Sequence, residues 1–179
     1  DVSDAAITDI TPSSIAGSTL TVKDGSLVIS TVALTSKSIV GGSAGVVVYK
    51  AGLDVGNTSN LVLNSYRVDV DDTNYTAFTD NNIAKLDLYV VENGVSRLLK
   101  SLSNGITGDG TTGGYVNFTS LDSTNRVLKA GVDVEIEVRA TFASTLNDGT
   151  TFALEAANTA GNIVVKDSNN VEVAESLAN

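Results

Sequence analysis

The chain has 179 residues, with Lys+Arg 11 against Asp+Glu 21 (formal charge −10), no His, Cys, Met or Trp, and one Pro. Without imidazole or thiol there is no Ser-His-Asp or Cys-His pair and no conventional zinc, haem or iron–sulfur site. The acid excess argues against nucleic acid or an anionic membrane as partner, and no apolar run approaches the ~18 residues of a membrane-spanning helix.

These features lead us to expect a soluble, acidic, extracellular domain held by burial and not by disulfides. Hydrophobic residues are 42% and charged residues 18%, so the chain should fold and not stay disordered. With Asp1 first and no basic-plus-apolar leader, we expect a mature secreted form or an excised module.

Asp1–Gly17 precedes the first confident strand and holds the only proline, Pro12. Its apolar residues, among them Val2, Ala6, Ile7, Ile10 and Ile15, are too many for a solvated leader. We therefore divide the chain into an extended N-terminal segment, 1–17, and a domain, 18–179.

From there the dominant period is two, the mark of half-buried strands. Strands are expected at Thr19–Lys23, Leu27–Leu34, Val46–Leu53 and Val62–Asp71, the last with Tyr66, Val68 and Val70 inward and Arg67, Asp69 and Asp71 outward. Gly41–Gly45 reads as a flexible connection, since no Lys-Ser/Thr and no helix follow it to make a phosphate cradle. Leu86, Leu88 and Val90 alternate with Lys85, Asp87 and Tyr89. Asn93-Gly94, the strongest short hairpin signal, then leads to Val95–Leu102.

Asn104–Gly114 is a Gly/Thr loop before Tyr115–Thr119, and Ser120–Val127 has room for one short helical turn. Val132–Phe142 is the clearest strand: Val132, Val134, Ile136, Val138, Ala140 and Phe142 share one face, and Asp133, Glu135, Glu137, Arg139 and Thr141 the other. Thr151–Ala156, Asn162–Lys166 and Val171–Ala174 complete the set, with turns at Asp24-Gly25, Asn147-Asp148-Gly149 and Ser168-Asn169-Asn170. About ten short strands without helical crossovers predict an all-β fold, one antiparallel two-sheet sandwich of Ig-like or jelly-roll type.

Carboxylates are the only acid–base groups present in number. Asp71/Asp72 and Glu135/Glu137 are the pairs to weigh, the latter about 7 Å apart on a strand face. Glycosidase chemistry also needs a cleft with aromatic platforms. Trp is absent and aromatics are 5%, so a solvated strand face is the better reading and no enzyme is expected.

Calcium is the one metal to consider, because it takes carboxylate and carbonyl oxygens. The oxygen-rich stretch Asp69, Asp71, Asp72, Asn74 and Asp80 spaces its acids like an EF-hand loop, but has Asn74 where that loop needs Gly and no flanking helices. Asn57, Asn74 and Asn117 open N-glycosylation sequons. Lys50 lies in an apolar run, VVVYKAGL, and is a candidate for an isopeptide cross-link if buried beside an acid.

The middle of the chain carries short motifs: Asp87-Leu88-Tyr89, Gly94-Val95, Gly114-Tyr115-Val116-Asn117-Phe118, and Leu128-Lys129-Ala130-Gly131 before the long strand. Over roughly residues 45–145 it resembles Ig-like β-sandwich modules of bacterial and archaeal cell-surface and S-layer-type proteins. The resemblance implies an extracellular structural role and no catalysis.

A sandwich has strand edges, and an extended segment of one copy can complete the sheet of the next. The expectation is thus a self-assembling subunit of an extracellular filament, pilus-like thread or surface layer. Its partners would be copies of itself, with no required cofactor and Ca²⁺ at the joints as an option. The alternative is a single Ig-like binding module of a large adhesin or S-layer protein, with carbohydrate or calcium as its ligand, favoured by an exposed aromatic row of Tyr49, Tyr66, Tyr89 and Tyr115, of which Tyr66 already reads inward.

Overall fold

A computed structural model describes residues 25–70, 82–103, 106–107, 114–146, 153–157 and 161–178. The segment Asp1–Gly17, the strand Thr19–Lys23, the turn residues Asp24 and Asn147-Asp148-Gly149, and most of Asn104–Gly114 lie outside the described residues.

Twelve strands lie among the described residues: β1 (Leu27–Thr31), β2 (Val46–Val55), β3 (Leu61–Val70), β4 (Ile83–Glu92), β5 (Val95–Leu102), β6 (Tyr115–Phe118), β7 (Val127–Leu128), β8 (Val134–Phe142), β9 (Leu154–Ala156), β10 (Val164–Lys166), β11 (Glu172–Val173) and β12 (Glu175–Leu177). They form a two-sheet sandwich, as the period-two pattern predicts. The first sheet runs β12-β1-β2-β8-β4-β5, antiparallel except for the parallel pair β1–β12.

The second sheet is built around β3. Val62 pairs with Lys166 of β10 and with Val127 of β7, and Val68 pairs with Ala156 of β9 and Val116 of β6. One strand can serve two partners only on opposite edges, so β9 and β10 share one edge of β3, and β6 and β7 the other. β11 adds outside β10.

Both neighbours of β3 break at the same level, and the reason is local. Leu61 and Leu63 point inward, but so do Tyr66, Val68 and Val70, so the inward set changes parity between Leu63 and Tyr66. A bulge at Asn64, where β10 steps from Leu63 to Ser65, absorbs the extra residue. Without that slip, one half of β3 would turn its apolar side chains to water.

The core between the sheets holds Leu27, Ile29, Leu53, Leu61, Leu63, Tyr66, Leu86, Leu88, Phe118, Leu128 and Ile136, each at most 1% exposed. Asn93 and Gly94, at φ 52° and 78°, make the two-residue hairpin that joins β4 to β5.

Three details depart from the sequence reading. β1 stops at Thr31 instead of reaching Leu34. The expected helical turn is there, with the Arg126 N–H on the Asp122 carbonyl, but two-residue β7 follows it unforeseen. The C-terminal strand divides at Ala174, with β11 in the second sheet and β12 in the first.

Candidate functional site

Most of the ion pairs among the described residues involve the first sheet. Lys50 of β2, Glu137 of β8 and Tyr89 of β4 stand in register across three strands. Lys50 Nζ lies 2.8 Å from Glu135 and 3.8 Å from Glu137, and Arg139 Nη2 reaches Glu137 at 2.6 Å and Ser96 Oγ at 2.7 Å. The same guanidinium lies over the Tyr89 ring, 4.3 Å from its centroid. Nearby, Glu92 holds Arg97 and Lys129, and Asp87 holds Lys85 and Ser101.

Glu135 and Glu137, weighed as an acid–base pair, are thus each held by a cation. The Lys50 amine is raised in pKa, first by the hydrogen bond to Glu135. Lys50 faces outward and is 25% exposed, which removes the buried setting an isopeptide cross-link needs. The period-two rule fails to place it because VVVYKAGL is apolar at nearly every position.

Of the calcium candidates only Asp69 is described. Arg67 Nε donates to its carboxylate at 2.7 Å and stacks on Tyr115 at 3.9 Å. Asp71, Asp72, Asn74 and Asp80 lie outside the described residues. Among the described residues no group of three His, Cys, Asp or Glu is placed to hold a metal ion. Asn57 and Asn117 are exposed, the first in a turn and the second on β6, while the sequon at Asn74 falls outside the described residues.

The exposed aromatic row that would favour a binding module does not form from these four tyrosines. Tyr49 and Tyr66 both point into the core, where their hydroxyls bond each other at 2.9 Å across the two sheets. Burial raises both phenols in pKa, Tyr66 well above the ordinary value. Tyr89 and Tyr115 lie on different sheets, each under an arginine.

The strand edges are more informative. The β5 edge is crossed by the turn after β6: the Asp122 N–H and the Asn125 amide donate to the Leu99 and Leu98 carbonyls. The β6 edge is met by Thr107, which exchanges two backbone bonds with Tyr115. On the opposite side β11 and β12, one continuous stretch, tie the two sheets together.

β2 is different. Its whole Val46–Leu53 stretch pairs with β8, but on the other edge β1 covers only Ala51–Val55, and the last bond of that edge is the Val32 N–H on the Lys50 carbonyl. Among the described residues nothing pairs with the β1 side of Val46–Tyr49. Residues 32–38 are all exposed and, beyond the Val32 bond, belong to no strand. Val46 and Val48 pack against the core yet remain half-buried, with Ile39 beside them, and Val32, Leu34 and Val40 are exposed by 38%, 42% and 75%. This gap, unlike the surface acids, had no signal in the sequence beyond an apolar run that is longer than its pairing.

No protein-family model matches the chain, and a comparison with curated proteins finds no match. The family resemblance therefore rests on the short motifs quoted above.

Proposed function

We propose that the chain is a self-assembling structural subunit of an extracellular filament or surface layer, joined to its copies by β-strand complementation. The observation that carries this reading is the incomplete pairing of β2 among the described residues, at a level where its half-buried valines pack against the core. Open strand edges are templates for another strand, and proteins that do not assemble block them. The ion pairs of the outer face support a structural role, since they hold Glu135 and Glu137 to Lys50 and Arg139.

Electron microscopy and light scattering of the purified chain test this. Polymers are expected, and removal of residues 1–17 should abolish them while leaving the melting transition of the sandwich in place. A monomer at all concentrations, or polymers that persist after the deletion, overturns the reading.

A further inference from the structure

The assembly reading leaves open where a copy is received. We propose that the edge of β2 at Val46–Tyr49, unpaired among the described residues, is the acceptor, and that its occupant is the Val2–Ile15 segment of a second copy; this rests on the assembly reading above.

The acceptor is a break in both hydrogen bonding and core cover. β1 leaves its place beside β2 after Val32, and at the same level Val46 and Val48, core residues by packing, are left half-buried. A bulge at Val48, where the β8 register steps from Val47 to Tyr49, turns Val46 inward opposite Ala140 and Val47 outward opposite Arg139. An added strand would therefore gain main-chain bonds from β2 and bury Val46 and Val48 with its own alternate side chains. Residues 1–24 are outside the described residues and carry apolar side chains at Val2, Ala6, Ile7, Ile10 and Ile15 to offer that slot.

Direction selects a neighbour over the chain's own subunit. Leu27 pairs with Val55, so residues 1–24 join the sandwich at the Val55 end of β2, while the open edge lies at the Val46 end. The two ends of a ten-residue strand are about 30 Å apart. To reach its own slot the segment would have to reverse direction before β1, whose other edge β12 already holds.

A neighbour displaced along the strand axis without inversion needs no reversal. It presents its Val46 end to the segment, which then lies antiparallel to β2 in the lane that β1 vacates. Such a contact is head-to-tail and does not close, so it propagates as a thread.

The absence of native cysteine makes disulfide trapping clean. Full-length chains carrying Ile7→Cys or Ile10→Cys are mixed with full-length chains carrying Val46→Cys or Val47→Cys and oxidised. Val95→Cys on β5, exposed by 64% at the far edge of the sheet, is the control. The expected result is a disulfide-linked pair of chains for at least one β2 position, at least tenfold over the Val95 control.

If wild-type chains polymerise but the β2 positions link no better than Val95, the acceptor is elsewhere; assembly stands and this inference falls. If chains carrying both cysteines link only within themselves, the segment folds back on its own subunit and the inference also falls. If the wild-type chain never polymerises, the assembly reading fails first and takes the inference with it.

Discussion

β8 and the leading half of β2 lie side by side in one sheet and both turn apolar side chains to the core, yet they are built to different standards. β8 is paired on both edges, with β2 from Val134 to Ala140 and with β4 from Glu135 to Phe142. Its Ile136, Val138 and Ala140 are fully buried. The first four residues of β2 have β8 on one side and no described partner on the other, and Val46 and Val48 stay half-buried. A sheet does not need uniform pairing to be stable. It needs one well-covered centre, and it can carry an incomplete margin whose completion comes from elsewhere.

That contrast is sharpest in its effect on stability. Ile136→Ala should cost ~2–5 kcal/mol, because the cavity would open where strands on both sides prevent collapse. Leu34→Ala and Val40→Ala, at the margin, should change the urea midpoint by less than ~0.5 kcal/mol equivalent. Equal losses at both places would erase the distinction between centre and margin.

A smaller effect comes from the bond between the sheets. Tyr66→Phe leaves the buried Tyr49 hydroxyl without its partner and should cost about 1–2 kcal/mol, whereas the double change to Phe at both positions should cost less than the two single changes summed. The same pair sets an alkaline limit. Both phenols have raised pKa values in the fold, so above the ordinary value of 10.0 the unfolded chain loses protons that the folded chain retains. Stability is then full below that pH and falls as pH rises through the folded values, a decline that pH-dependent urea unfolding would show and that should shrink when both tyrosines are replaced.

The charged outer face should matter less than the core. Glu137→Gln loosens Lys50 and Arg139 together and is expected to cost about 1 kcal/mol at low salt, less as ionic strength rises. A salt-independent loss would mean that the ladder acts by packing and not by charge.

Much of the fold could be read in advance because its rules are local. Alternation placed β8 and its inward set, Asn93-Gly94 marked the β4–β5 hairpin, and the bounds of β5 were read as Val95–Leu102. The apolar run around Tyr49 and Lys50 resisted the same reading, since a strand apolar at nearly every position gives no phase. The pattern there leaves open whether Tyr49 joins an exposed row or Lys50 is buried; the partners Val138 and Glu137 fix the face, Tyr49 inward and Lys50 outward.

The division is physical. The amino-acid order alone settled that this chain makes short, half-buried strands with tight turns, because alternation and turn chemistry act between residues a few positions apart. It also excluded imidazole and thiol chemistry outright. The bulge that turns β3 over at Asn64, the parallel seat of β12 on β1 and the flank of β2 that no described residue pairs were decided only in three dimensions. Each depends on which distant strand arrives at an edge and where it stops, and a backbone hydrogen bond leaves no mark on side-chain pattern.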